Sequence, residues 1–186
     1  MKDKIIAAAT TLFVQNGYYQ TSMDDVAHKA SIAKGSLYYH FKNKSQLFCE
    51  TVVQGIEYFA KLIREVTEQD RDNPVIAQQL IALLVDMCFS NQKIADMVMT
   101  QPTVGIDEEV VVEIQSAKER FIELIDVTLA QGIEIGLLQP CNTKVTAYAI
   151  VSFVYSYCKC LRDSGETNTT QATQQITGLI MKGLLR

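Results

Sequence analysis

The chain has no tryptophan, only three prolines and only nine glycines in 186 residues. So few breakers argue against a fold of many tight turns and leave room for long helices. Positive charge is also scarce, with 17 lysines and arginines against 21 acids and a formal net charge of −4. Taken over the whole chain, that balance is not the mark of a nucleic-acid binder. Long apolar runs are missing too. The most apolar stretch, Val145 to Cys158, falls short of the roughly 20 residues that span a bilayer. The N-terminus, Met1-Lys2-Asp3-Lys4-Ile5-Ile6-Ala7, soon meets Thr10 and Thr11, with no small-residue cleavage site after it. It does not read as a secretory leader, so a soluble, cytoplasmic protein is expected.

Histidine is nearly absent. His28 and His40 are the only two, and both lie in the first fifty residues. No nucleophile–base–orienter set can be assembled elsewhere, and there is no phosphate loop. An enzyme is therefore not expected, nor is a cofactor. The five cysteines, Cys49, Cys88, Cys141, Cys158 and Cys160, are odd in number and irregular in spacing. They do not form a disulfide framework. Cys158-x-Cys160 lacks the Cys-x-x-Cys spacing of zinc or dithiol motifs, so no metal is expected. Small buried side chains in a reducing cell account for them. A thiol switch through Cys158 and Cys160 stands as the alternative reading.

What is present is helical periodicity and an apolar fraction of 48%, enough for a core. Ile5, Ile6, Ala9, Leu12 and Phe13 form the stripe of a first helix that stops at Asn16-Gly17. Ser22-Met23-Asp24-Asp25 has the pattern of a capping box and opens a short helix. Ser31-Ile32-Ala33 is a turn. Lys34 to Phe41 reads as a second short helix, and Asn43 caps a long one over 44–68. Gln69 to Pro74 reads as a polar linker, with Pro74 at a helix start. Further helices are expected over 75–89, 93–100 (ended by Pro102 and Gly105), 107–135, 143–162 and 170–185. The fold class is all-α, with about nine helices.

Charge is divided unevenly along this pattern. Residues 1–50 carry six lysines against four acids, a local +2; the remainder carries eleven basic and seventeen acidic residues, −6. A basic end on an acidic body fits a protein that meets phosphate with one end. Two short helices about a three-residue turn suggest a helix-turn-helix, whose second helix enters the major groove. Lys34 can reach a guanine edge or a phosphate, Gly35 allows close approach, and Ser36 can bond either kind of base edge. Tyr38, Tyr39 and His40 follow. Lys42 and Lys44 flank the next helix N-terminus, a place that favours phosphate.

The run Lys34-Gly35-Ser36-Leu37-Tyr38-Tyr39-His40-Phe41-Lys42-Asn43-Lys44-Ser45-Gln46-Leu47-Phe48, with Gly17, Thr21, Val26-Ala27 and Ala30 before it, resembles the DNA-binding domain of TetR family transcriptional regulators. The resemblance covers about residues 1–59. It implies an N-terminal three-helix helix-turn-helix domain over 1–59 and a C-terminal helical domain over 60–186 for effector binding and dimerisation. It places base contacts at Lys34, Gly35, Ser36 and Tyr38, and phosphate contacts at Ser22, Tyr39, His40 and Lys44. Two residues depart from the pattern. Ser31 stands where the family usually has glycine, and Ala33 where it usually has a capping Ser or Thr. If position 31 needs a left-handed backbone, a non-glycine costs about 1 kcal/mol.

In the remaining residues Met87, Cys88, Met97 and Phe121 are adaptable side chains that suit an apolar pocket between helices. The last two helices are apolar beyond what one chain should bury. Val151, Val154, Tyr155, Cys158, Ile176 and Ile180 are expected to meet their symmetry copies in a four-helix bundle. The expected protein is a homodimeric regulator, a repressor released by a small apolar effector from palindromic double-stranded operator DNA.

Overall fold

The computed structural model describes residues 1–69, 76–100 and 105–184. Among these the elements are nine helices: α1 (Lys2–Gln20), α2 (Met23–Lys29), α3 (Lys34–His40), α4 (Lys44–Gln69), α5 (Ile76–Ser90), α6 (Gln92–Met99), α7 (Glu108–Glu134), α8 (Thr143–Asp163) and α9 (Thr169–Leu184). The all-α class follows. Pro74, Pro102 and most of the expected 69–74 linker lie outside the described residues. None of the described helices is long and apolar enough to cross a membrane.

Helix ends fall where local chemistry puts them. Helical geometry in α1 breaks at Gly17, whose φ of 80° and ψ of 167° suit a residue without Cβ. Asn43 Oδ1 accepts from the Gln46 backbone N–H at 2.8 Å, and Gln46 Oε1 accepts from the Lys42 N–H at 2.8 Å. This reciprocal pair caps α4. Asn142 caps α8 by accepting from the Val145 N–H. Gly136 and Gly165, both at positive φ, follow the ends of α7 and α8.

The chain forms two compact units. The first holds residues 1–57 and 93–118; the second holds 58–92 and 119–186. Residues 93–118 thus pack with the N-terminal segment.

The first unit is built on Ile5, Ala9, Phe13, Val26, Leu37, Phe41, Leu47, Phe48 and Val52, all buried. Phe48 is its aromatic centre, edge-on to Phe13 at 5.2 Å and to Tyr18 at 4.9 Å between ring centroids. In the second unit α5 packs on α8 and α9, which also pack on each other. Leu84, Val85, Ala147, Val154, Cys158, Ala172 and Ile176 are buried there. The Arg162 guanidinium donates to the Cys88 carbonyl, joining α8 to α5.

Candidate nucleic-acid interface

The reading head begins with a cap. Ser22 Oγ accepts from the Asp25 N–H at 3.1 Å, and Asp25 Oδ2 accepts from the Ser22 N–H at 2.9 Å. The Ser22 hydroxyl also donates to Asp25 Oδ2 at 2.6 Å. These bonds, the hydroxyl first, hold the Asp25 carboxyl below its ordinary value of 3.8. The expected capping box is therefore complete. A hydroxyl has one proton to donate, and Ser22 gives it to Asp25, so in this geometry it has none left for a phosphate oxygen.

After α2 the chain reverses through Ser31. Its φ is 51°, the one positive-φ position among the described residues that is not glycine. The Ile32 N–H reaches back to the Ala27 carbonyl at 3.0 Å and the Ser31 N–H to the His28 carbonyl at 2.9 Å, bonds that close a left-handed helix end. Ala33 then starts α3 without a side-chain cap.

On α3, Leu37 is fully buried and Phe41, the residue after its end, nearly so. They anchor the helix, and the opposite face is left to solvent. Tyr39 is 86% exposed. Its ring meets His40 edge-on at 5.3 Å. Tyr38, Lys34 and Gly35 are exposed, and Ser36 and His40 are half-buried. An exposed tyrosine pair beside a lysine is suited to phosphate and base-edge contact, with phenol and ammonium donors on a rigid helix.

The two expected lysine contacts are already engaged within the chain. Lys34 Nζ lies 2.6 Å from Asp24 Oδ1 and over the Tyr38 ring at 6.0 Å. That carboxylate, by hydrogen bond and then by charge, raises the lysine pKa. Lys44 Nζ donates to the Tyr18 carbonyl at 2.9 Å and sits 4.4 Å over the Tyr18 ring. The Tyr18 hydroxyl donates to the Gly105 carbonyl and pairs with Ser45 Oγ, each at 3.1 Å. Asn43 Nδ2 donates to Asp107 Oδ2 at 2.9 Å, so the start of α7 is fastened to the start of α4.

Ser22, Lys34, Tyr38 and Lys44 share one open groove of about 400 Å³, together with Tyr19, Gln20, Thr21, Met23 and Asp24. Gly35, Ser36, Tyr39 and His40 do not line it. Tyr19 and Asp24 were not expected. The signal for Tyr19 lay in the pair Tyr18-Tyr19: neighbouring helix positions face different ways, so one ring goes inward and the other out.

The second unit contains an apolar cavity of about 60 Å³, lined chiefly by branched aliphatic side chains including Ile63, Leu84, Ile125, Leu129, Ile150 and Met181. None of Met87, Cys88, Met97 and Phe121 lines it. Met87 and Cys88 are buried, Phe121 is half-buried, and Met97 belongs to the first unit. The cavity is walled by residues of ordinary core type, with Met181 the one methionine among them.

A correction applies to the expected dimer face. Val154, Tyr155, Cys158 and Ile176 are buried within a single chain, and Val151 and Ile180 are half-buried. They form the seam on which α5, α8 and α9 pack. The opposite face of α8 carries the exposed apolar groups: Val145 (62% exposed), Tyr148 and Phe153, with Leu179 (55%) exposed on α9. Cys158 and Cys160 also separate, one buried and one exposed. The neighbour of the Cys158 thiol is Cys88, whose hydrogen bond, helped by Arg162 and opposed by burial, lowers the Cys158 pKa.

Residues 5–51 match the family described as bacterial regulatory proteins, tetR family, and residues 76–184 match the tetracyclin repressor-like C-terminal domain. An uncharacterised HTH-type transcriptional regulator of Bacillus subtilis, YhgD, is 28% identical over 98% of this chain and 96% of its own. IcaR of Staphylococcus epidermidis, the negative regulator of the biofilm operon icaADBC, is 46% identical over 32% of each chain, the length of a DNA-binding head. The fold is that of Bacillus subtilis FadR in complex with stearoyl-CoA, with a TM-score of 0.84 over 98% of this chain and 99% of that one at 17% identity. The exposed α3 face, the capped α2 before it and these two matched regions place the chain in the TetR family of DNA-binding transcriptional regulators.

Proposed function

We propose that the protein is a homodimeric repressor that reads a palindromic operator through α3 and is released by an apolar effector bound in its second unit. The observation that carries this reading is α3 itself, anchored by Leu37 and Phe41 with Lys34, Tyr38 and Tyr39 turned to solvent. Repression is the activity named for IcaR, whose likeness to this chain runs over 59 residues. Gly35 and Ser36 are assigned to base edges, and Tyr39, His40 and Lys44 to the phosphate backbone.

The effector site is assigned to the cavity among Ile63, Leu84, Ile125, Leu129 and Met181. Its volume of about 60 Å³ is well below the roughly 300–1,000 Å³ of ligand pockets. An effector of any size must therefore favour a conformation in which these helices stand further apart. A ligand shifts such a balance only by binding one state better than the other. Loss of operator binding then follows if the opened state holds the two reading helices at the wrong spacing. Stearoyl-CoA, bound by FadR, supplies the first class of effector to test. The alternative switch through Cys158 and Cys160 has no geometric support, since helix positions two apart face different ways.

The test is titration of purified protein onto genomic DNA fragments, followed by anisotropy on the recovered duplex. Affinity is expected to fall steeply with salt through counterion release. Tyr39→Ala is expected to weaken binding about tenfold without altering thermal stability, one lost contact being worth about 1–1.5 kcal/mol. Acyl-CoA addition is expected to release the duplex. Absence of sequence-selective binding at low salt would sink the reading.

A further inference from the structure

We propose that Asp24 is a specificity-determining residue of the reading head, one that suppresses binding to the wrong DNA by keeping the Lys34 ammonium engaged until a duplex offers a better acceptor. The inference rests on the DNA-binding reading above and deepens it.

Asp24 lies in the first turn of α2, and Lys34 opens α3. The ammonium reaches both carboxylate oxygens, at 2.6 and 2.9 Å, across the turn between the two helices. Both side chains are more than half exposed. A pair this exposed contributes about 0–1 kcal/mol to folding. Nor does α2 need Asp24 as a cap, because Ser22 and Asp25 make it. The pair is therefore of small consequence to the fold.

Its consequence for charge is larger. The open groove is lined by two lysines and one carboxylate, Asp24. Lys44 rests on carbonyl oxygens and an aromatic face, so its positive charge is undiminished. The charge of Lys34 is cancelled. A passing duplex thus meets one net positive charge in the groove where the sequence writes two. On random DNA, Lys34 stays with Asp24 and displaces no counterion. A guanine edge, with O6 and N7 both accepting, can draw the ammonium away. The carboxylate thereby lowers affinity for every duplex and lowers it most where no such acceptor stands opposite α3.

The test uses the full-length protein, a labelled random-sequence duplex and the operator duplex recovered by the wild type, each titrated across a salt series. Asp24→Asn is expected to bind the random duplex roughly tenfold more tightly at about 0.1 M salt, with a log–log salt slope steeper by about 0.9, the value of one further phosphate neutralised. Operator affinity should rise less, so the ratio of operator to random binding falls. Lys34→Ala should weaken random binding, because Asp24 then faces phosphate uncompensated, and the double variant should recover most of that loss. Asp24→Ala should behave as Asp24→Asn, and circular dichroism melts establish that each variant is folded. An unchanged slope and random-duplex affinity in folded Asp24→Asn would overturn the proposal. So would a loss of operator affinity confined to one cytosine, since that would make the carboxylate a direct base reader. A wild type that binds neither duplex at low salt would instead overturn the DNA-binding reading beneath it.

Discussion

Ser31 and Ala33 are two residues at which this chain works against its own backbone. Ser31 holds φ at 51°, a region that costs a residue with a Cβ about 1–2 kcal/mol. Ala33 occupies the N-cap of α3 with φ −68° and ψ 142°, the geometry of a cap but without a side-chain acceptor. The two defects flank the turn that aims the reading helix. Ser31→Gly is expected to raise stability by up to about 1 kcal/mol, the relief of strain being partly offset by the greater freedom of glycine in the unfolded chain. Ala33→Ser is expected to add about 1 kcal/mol by capping the free N–H groups of α3. Urea melts of the two single variants check both values, and a fall in midpoint for either would show that the turn is not the strained element described. Both departures were legible in the sequence because a turn glycine and a capping hydroxyl are local requirements, set by one residue's own backbone.

At the scale of the element, α2 shows how a local pattern carries pH dependence. Ser22 and Asp25 close the capping box, and their bonds hold the Asp25 carboxyl below 3.8. A group whose folded pKa is depressed lends stability that is present above its unfolded value and lost as pH falls through the folded one. The contribution should therefore be complete at neutral pH and fade below about pH 4. Asp25→Asn is expected to lower stability at pH 7 and to leave the acid limb of the stability curve shallower than in the wild type, measured by thermal melts between pH 2 and 7. An identical acid limb in the two proteins would remove Asp25 from that role. The longer elements were legible only in part. Gly136 and Gly165 mark helix ends that the sequence makes plain, whereas Gly17, where the sequence suggests an end, marks a break within α1. Which face of α8 turns inward was not legible. Ala147, Val154 and Cys158 on one face and Val145, Tyr148 and Phe153 on the other are all apolar. Ser152 and Ser156 on the outer face give only a weak polar contrast, so the orientation is decided by how α5 and α9 pack against the helix. The cavity was hidden for the same reason, since Ile63, Leu84 and Leu129 differ from core residues only in what happens to lie opposite them.

For the whole molecule that inversion of α8 moves the proposed dimer contact to its other face. Val145, Tyr148, Ala149, Ser152, Phe153 and Ser156 recur at helical spacing and are exposed in the single chain. Large apolar groups gathered on one helix face mark an interaction surface, and a two-fold axis would set this face against its own copy. The seam expected from the sequence behaves differently under substitution. Val154→Asp would bury a charge among α5, α8 and α9, so it is expected to prevent folding. Phe153→Asp places the charge on the exposed face, so the chain should fold with its melting curve little changed but sediment as a monomer. Operator affinity should then fall by a hundredfold or more, since the two half-sites no longer share the effective concentration that one dimer provides. Binding to a single half-site should be unaffected. Analytical ultracentrifugation and anisotropy on full and half operators separate these outcomes. A Phe153→Asp protein that keeps a dimer mass and full operator affinity would return the interface to some other surface of the second unit.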